Sequence, residues 1–316
     1  MLIEKSKYLL AIETSCDETS FAFIDNNNKI FEKTFTSIEE QKKYNGVVPE
    51  LASRMHEKYS KKIFDELINE NNIDIKDIQA IGYTSEPGLI GCIHIGKVFA
   101  KTLGYILDVE VFKLNHMEGH IFSFAIEDEK IIKYPFLSLV ISGGNTILYQ
   151  VNSLDDIKIL NETSDIAVGE AYDKIGIALG FKYPCGKDID DLYDENKANI
   201  VFTKKTSPET NSFSFSGFKT AVLNHIIKEK NKNTLDIESI ASSFQKAIID
   251  SVVKKVKYYA EITNINTIVI GGGVASNTYL KKEISSLNIK SFLTSNKYTN
   301  DNASMMAFIM KLKHFS

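Results

Sequence analysis

Tryptophan is absent from the 316 residues, and cysteine (3) and proline (5) are scarce. Cys16, Cys92 and Cys185 lie far apart with no CxxC spacing. That weighs against a disulfide framework or a thiolate zinc site and points to a reducing cytoplasm. No run of about 18 apolar residues occurs, so no membrane span is expected. The opening stretch MLIEKSKYLLAIETSCDETS has a short apolar run, with acidic residues where a small-residue cleavage site belongs, so no secretory signal is expected. A cationic excess is missing too: 37 Lys and Arg stand against 41 Asp and Glu, a formal charge of −4. Lys and Arg contacts to phosphate supply most nucleic-acid affinity, so any such role here needs a local basic patch or a partner.

What is present is an ordinary globular composition, 43% apolar and 25% charged. At roughly 150 residues per domain the length suits two domains or lobes. Residues 8–25 (YLLAIETSCDETSFAFID) read as an apolar strand, a polar turn and a second apolar strand. Residues 136–151 (FLSLVISGGNTILYQV) repeat that order around a turn at 142–146. Each half then carries a strand, a glycine turn and a helix, at 80–104 and 267–285. Helical periodicity is carried by Ile93, Val98, Ala100 and Leu103 in the first and by Val274, Tyr279, Leu280 and Ile284 in the second. The pairing predicts a duplicated α/β unit with lobes 1–130 and 131–316, the last helix (about 301–316) free to pack back on the first. Further helices are expected over 51–69 and 240–261, and a loop-rich insertion over 183–214. Lysine clusters at 228–232, 254–257 and 281–282 read as solvated helix faces.

The sharpest local feature is His116-Met117-Glu118-Gly119-His120. Histidines at i and i+4 leave one helix face and can grip one metal ion. Zinc peptidases of the zincin type share that spacing but place Glu directly after the first His. Here Met117 holds that place and Glu118 points to another face, which weighs against a peptidase. A third ligand has to come from elsewhere in the chain. Asp301, which opens the predicted helix over 303–312, reads first as an N-cap and second as a ligand; spacing leaves both open. Two His and a carboxylate would leave coordination positions free, as suits Fe(II) or a catalytic zinc.

Ser142-Gly143-Gly144 and Gly271-Gly272-Gly273 each follow an apolar strand. Glycine lets the backbone approach a phosphate or nucleoside, and its amides cradle anions. Neither turn matches the P-loop or GxGxxG pattern. Two of them, in equivalent places of a duplicated chain, predict a nucleotide in a cleft between the lobes. Glu13, Asp17, Asp173 and Asp190 each fit a ribose contact or a cation organiser, and spacing does not choose among them.

Taken together, nine ordered blocks cover nearly the whole chain: IETSCDET (12–19), GVVPELASR (46–54), PGL (87–89), HMEGH (116–120), SGGNT (142–146), GEAYDK (169–174), SFSGFKT (214–220), GGGVASN (271–277) and DNASM (301–305). In these blocks the sequence resembles the TsaD family (also called Gcp or YgjD), tRNA N6-adenosine threonylcarbamoyltransferases. The resemblance implies the α/β, duplicated actin/hexokinase-like (ASKHA) two-lobe fold with a nucleotide cleft between the lobes. It implies metal ligands at His116, His120 and Asp301 for one divalent metal per subunit, Fe(2+) first and Zn(2+) second. It implies substrate-binding residues at Val140, Ile141, Ser142, Gly143, Gly144, Asp173, Gly186, Asp190 and Asn277. The chain departs from the bacterial pattern Tyr-Pro-Gly-Gly-Pro at Cys185 and Lys187, and carries Asn145 where bacterial members frequently have His.

The activity implied is transfer of a threonylcarbamoyl group from threonylcarbamoyl-AMP to N6 of the adenosine 3′ of the anticodon in tRNAs reading ANN codons, releasing AMP. No general base is assignable; Glu13 and Asp17 are the candidates for a catalytic role. Implied partners are tRNA, threonylcarbamoyl-AMP, a TsaB-type paralogue and a TsaE-type P-loop ATPase, in the cytoplasm and without a membrane. The rival readings are a small-molecule kinase or ATPase of the same fold, a zinc metallopeptidase, and a non-catalytic scaffold paralogue. On the implied activity, the −4 charge predicts that tRNA arrives with partner proteins.

Overall fold

The computed structural model describes residues 7–202 and 212–315. In chain order come β1 (Tyr8–Glu13), β2 (Glu18–Asp25), β3 (Ile30–Thr36), α1 (Ile38–Gln41), α2 (Pro49–Asn71), β4 (Ile78–Glu86), α3 (Ile90–Leu107), β5 (Glu110–Asn115) and α4 (His116–Phe122). Then follow β6 (Phe136–Ile141), β7 (Thr146–Val151), β8 (Ile157–Thr163), α5 (Val168–Leu179), α6 (Gly186–Asp191), β9 (Ser212–Phe213) and α7 (Ser216–Lys232). The last are α8 (Ile237–Thr263), β10 (Thr267–Gly271), α9 (Thr278–Ser286), β11 (Lys290–Leu293) and α10 (Ala303–His314). They form two compact units. One comprises the described residues up to Glu129 and from Asn300 onward, the other Lys130–Thr299.

The internal repeat is written in strand order. The first sheet runs β3-β2-β1-β4-β5, and the second β9-β8-β7-β6-β10-β11. In each, the leading strand pairs antiparallel with the next and parallel with the strand that returns after a helix, β1 with β4 and β6 with β10. The added β9 pairs parallel with β8 at one edge. β1, β2 and β6 are buried on both faces, which explains why they read as continuous apolar runs rather than alternating ones.

Helices cover these sheets through stripes of matched size. In the second unit α8 buries Ile240, Ala241, Phe244, Ile248, Ile249, Val252 and Val256, spaced three and four apart to make one face. Each such aliphatic or aromatic side chain stabilises by about 1.5–3 kcal/mol on burial. In α3 the buried stripe is instead Cys92, Gly96, Ala100 and Gly104, every fourth residue and small. Side chains there would collide with Thr14 below Gly96 and Val111 below Gly104. This corrects the expected phase of the helix, because Val98 lies off that stripe and is 48% exposed. Val274 likewise falls in a 3-10 turn over Gly273–Ser276, ahead of α9. By length and composition α3 is apolar enough to cross a membrane, although Lys97 and Lys101 sit in its middle.

The segment expected as a loop-rich insertion holds α6 and a 3-10 turn at Glu195–Lys197, while residues 203–211 lie outside the described residues. Cys185 precedes α6 with φ −97°, a negative value open to residues with a side chain, so the family's glycine is not needed there. Its side chain packs where Gly176 leaves room for it. Helix α10 is buried from Ala303 to Met310 and packs on β1, β2 and α4 within the first unit.

Candidate metal centre and glycine turns

A short helix carries the two histidines. Asn115 caps α4, its side chain accepting from the amides of Met117 and Glu118, which fixes His116 as the first helical residue. Gly119 lies against Met305 and Met306 of α10, where an added Cβ would come within 2.8 Å of the Met306 sulfur. That close approach brings the start of α10 to the histidines. Of the two readings of Asp301, the capping one is corrected: Asn302 caps α10, accepting from the Met305 amide at 2.9 Å. Asp301 stands one residue earlier with its carboxylate free for other work.

That work is visible in the distances. Asp301 Oδ1 lies 3.3 Å from His116 Nε2 and 3.1 Å from His120 Nε2. One donor atom from each of the three residues falls within 4.8 Å of the others. Two imidazoles and a carboxylate are a borderline donor set that fits Fe(II) or Zn(II). Behind them, the Glu13 carboxylate accepts from His116 Nδ1 at 3.0 Å. A carboxylate can only accept, so Nδ1 carries a proton; a metal taking the place of the second proton would then meet the Nε2 lone pair, the usual arrangement behind a metal-binding histidine. Both histidines are buried, while Asp301 keeps 21% of its side chain exposed. The three donors are therefore reachable from the Asp301 side.

The electrostatics follow from this packing. Burial opposes a charged His116, but the carboxylates of Asp301 and Glu13 outweigh it and hold its pKa well above the usual histidine value. Burial also opposes a charged Asp301, yet His116 and then His120 hold it well below the usual carboxylate range. Glu13 is lowered too, His116 again overcoming burial. Glu18 goes the other way: burial first, then the charges of Asp17 and Asp301, push it well above the usual value. Asp17 sits in the β1–β2 turn, part-exposed, its backbone carbonyl accepting from Ser37.

Glu13 is buried and fully engaged. Its carboxylate also accepts from the Ser15 amide at 2.5 Å and from the Thr84 hydroxyl. Glu118 serves the fold, pairing with Lys313 of α10 at 2.6 Å. The residue that would act as base in a peptidase is thereby tied elsewhere. The β1–β2 turn is braced by His56, a buried residue of α2 that sequence reasoning missed. Its Nε2 donates to the Cys16 carbonyl at 3.0 Å, and its Nδ1 accepts from Thr19 at 2.7 Å.

In the second unit the predicted binding residues fall into two groups. Val140 and Ile141 end β6 and are buried, and Ser142, Gly143 and Gly144 form the turn, with both glycines exposed. Ser142 holds the turn closed: its amide donates to the Asn145 carbonyl at 2.8 Å, and its hydroxyl accepts from the Asn145 amide at 3.1 Å. Gly169, at the start of α5, lies so close that a Cβ there would meet Gly143 Cα and the Ser142 carbonyl, each at 2.7 Å. Gly272, with φ +90°, lies equally close to Ile141. The two glycine turns foreseen in the sequence are thus neighbours.

The other group gathers around α6. Asp173 Oδ1 accepts from the Cys185 amide at 2.8 Å, tying α5 to the residue before Gly186. The Asp190 carboxylate accepts from the Thr278 amide at 3.0 Å and its hydroxyl at 2.9 Å. Asn277 caps α9, accepting from the Leu280 amide at 2.8 Å. Between Asp190 and Asn277 lies Gln245 of α8, also missed. A readable signal existed, since Gln245 occupies the apolar stripe between Ala241 and Ile249.

The family model for TsaD, tRNA N6-adenosine threonylcarbamoyltransferase, matches residues 29–308. A relative of that name from Ureaplasma parvum serovar 3 is 47% identical over 299 residues, 94% of this chain and 92% of the relative. Another from Streptococcus pneumoniae is 37% identical over 309 residues, covering 96% and 91%. Among solved structures, full-length HypF matches with TM-score 0.67 at 12% identity, over 100% of this chain and 48% of that one. Component A of the Acidaminococcus fermentans (R)-2-hydroxyglutaryl-CoA dehydratase matches with TM-score 0.55 at 16% identity, over 95% and 96%. Those two likenesses speak for the fold alone, and it is the duplicated actin/hexokinase-like one. The family match spans all three converging donors, and on it and on these relatives this chain belongs to the TsaD family of tRNA N6-adenosine threonylcarbamoyltransferases.

Proposed function

We propose that the chain transfers the threonylcarbamoyl group of threonylcarbamoyl-AMP to N6 of the adenosine 3′ of the anticodon, in tRNAs reading ANN codons. The observation that carries this reading is the convergence of His116, His120 and Asp301 on one point in a chain of this family. The N6 amine is a weak nucleophile because its lone pair is delocalised into the ring, so positioning supplies much of the rate. In the step, N6 bonds to the carbamoyl carbonyl carbon and the bond from that carbon to the phosphate oxygen breaks. AMP leaves with the electron pair, and N6 gives up a proton.

When bound, a divalent ion, Fe(2+) before Zn(2+), supplies stabilisation of charge developing on the acyl-adenylate. His116, His120 and Asp301 would hold it. Glu13, saturated by three donors, orients His116 and is unavailable as a proton acceptor. That leaves Asp17, part-exposed in the neighbouring turn, to take the N6 proton. Gly143 and Gly144 offer backbone amides to the adenylate, in a turn that Ser142 holds closed, and Asp173, Gly186, Asp190 and Asn277 recognise its nucleoside. The protein works in the cytoplasm with a TsaB-type paralogue and a TsaE-type ATPase, which offset its lack of net positive charge toward tRNA.

The test is direct. Metal-loaded protein with these partners, threonylcarbamoyl-AMP and an unmodified tRNA transcript should give threonylcarbamoyladenosine by nucleoside mass spectrometry, with one AMP per modified base. Absence of the modified base, or ATP hydrolysis driven by a small-molecule acceptor instead, overturns the reading.

A further inference from the structure

Helix α8 holds the insertion that carries Asp190 through three polar side chains of its first turns, Ser242, Ser243 and Gln245. The Ser242 hydroxyl accepts from the Asp194 amide at 3.0 Å and donates to the Leu192 carbonyl at 3.3 Å. The Ser243 hydroxyl accepts from the Ile200 amide at 2.9 Å. Gln245, with 0% exposure, completes the set. Its Nε2 donates to Asp190 Oδ1 at 2.9 Å. Its Oε1 accepts from Asn277 Nδ2 at 3.0 Å and from the Tyr172 hydroxyl at 3.2 Å. One amide therefore reads a carboxylate with its donor end and an amide with its acceptor end. It sets the spacing between a side chain on α6 and one at the cap of α9.

We infer that Gln245 is the positioning residue that aligns Asp190 with Asn277 for the nucleoside part of the substrate. This rests on the function proposed above, in which both residues serve the acyl-adenylate. The polarity of the contact makes it specific. A carboxylate at 245 keeps both bonds at Oε1 but replaces the donor facing Asp190 with a second negative oxygen. An unpaired charge buried this way is costly, and the loss of a hydrogen bond to a charged group is worth roughly ten- to a hundredfold in affinity. The titratable groups facing position 245 are Asp190 on α6 and Tyr172 on α5. Asn277 and Thr278, at the start of α9, bear no charge. Lys246, the neighbour on α8, is turned instead to Tyr279 and Asp250. No cation on the same helix is therefore directed at an introduced carboxylate.

The experiment measures KM for threonylcarbamoyl-AMP and kcat for transfer, from pH 5.5 to 8, in the full chain and its Gln245→Glu variant. Circular dichroism and thermal unfolding report the fold. The expected result is KM raised about ten- to a hundredfold at pH 8, with kcat within about threefold. As pH falls, one proton shared by the two carboxyls restores a donor, so the KM ratio shrinks. A role limited to packing would show instead in the folded fraction, with the KM of the folded protein unchanged at every pH. A KM unchanged at pH 8, or a pH-independent loss matching the fraction unfolded, overturns the inference. Should the acidic variant not accumulate folded, Gln245→Met takes its place; its KM should rise at every pH, and an unchanged KM overturns the inference. Failure of the unmodified chain to transfer the group at all is a different result, and it removes the functional proposal itself.

Discussion

The turn after β1 and the turn after β6 occupy the same place in two sheets of the same strand order, and they are built from different materials. The first spans the six residues between Glu13 and Ser20, the last pair of its hairpin; the second spans the four between Ile141 and Thr146. In the first, side chains do the work: Glu13 faces His116, and His56 reaches in from α2 to fix the Cys16 carbonyl. In the second, backbone does it: Gly143 and Gly144 face open space, and Gly169 and Gly272 press close from behind. One hairpin orders charge around the three converging donors. The other exposes amides. Duplication supplied one geometry, and the choice of side chain against glycine gave it two chemistries. If so, the first turn should fail when charge or hydrogen bonding changes, and the second when volume is added.

The largest expected effect lies on the charged side. His116→Ala combined with His120→Ala should take metal content, by mass spectrometry, from one per chain to none and cut transfer roughly a thousandfold or more. Hydrogen exchange over residues 140–146 should stay unchanged, because that turn is held by residues of its own unit. Full transfer in the double variant would sink the metal assignment. Next comes Glu13→Gln, which sets an amide donor either against the Ser15 amide or, in the other orientation, against His116 Nδ1 beside the Thr84 hydroxyl. Loss of this kind of support behind a metal-binding histidine weakens metal affinity by about 10–100-fold, measurable by chelator competition.

On the glycine side, Gly169→Ala should destabilise by about 1–3 kcal/mol in denaturant titrations, since the added methyl meets backbone that cannot rotate away. It should raise KM for threonylcarbamoyl-AMP more than it lowers kcat, by displacing the Ser142–Gly143 backbone. A smaller effect separates the turns by pH. Burial lowers the His56 pKa, so the unfolded chain takes up that proton first. The resulting stability is present above about pH 6.5 and declines as pH falls below it. In His56→Gln, which can still donate to Cys16 and accept from Thr19, the difference from the parent chain should narrow over that acid range. A constant difference from pH 8 to 5 would show that His56 does not carry the effect.

How much of this was legible in the sequence follows the same division. The strand repeats and the His116–His120 pair were readable because their signals are local: alternation of apolar runs with turns, and a spacing of one helical turn. Strands β3, β5 and β11 at the sheet edges, and β8 one strand in from an edge, were not marked, since their half-exposed, mixed residues carry little periodic signal. Asp301 needed the family resemblance, because an Asp ahead of a helix looks like a cap until Asn302 is seen to do the capping. Glu13 meets His116 across 103 residues, and His56 meets Cys16 across 40. No local pattern encodes such pairs. Gln245 and His56 did leave one trace, a polar residue placed in the buried stripe of an otherwise amphipathic helix. Such a residue needs buried partners, and the sequence does not say which.

The smallest change to the fold gives the most discriminating test of the comparison. Gly143 has nothing within 4 Å of where a Cβ would stand, and its φ lies outside the left-handed region. Alanine should therefore fit, with stability in urea within about 0.5 kcal/mol of the parent chain. If the turn is bare so that its amides can approach the adenylate, the methyl should still raise KM for threonylcarbamoyl-AMP severalfold, with kcat and metal content unmoved. If glycine is there only to make a tight turn, KM should not change. That second outcome would remove the reason for calling the turn a binding element, and the contrast would shrink to one functional hairpin and one structural one. The same substitution at Gly169 cannot decide this, because its methyl displaces the turn whether or not a ligand ever approaches it.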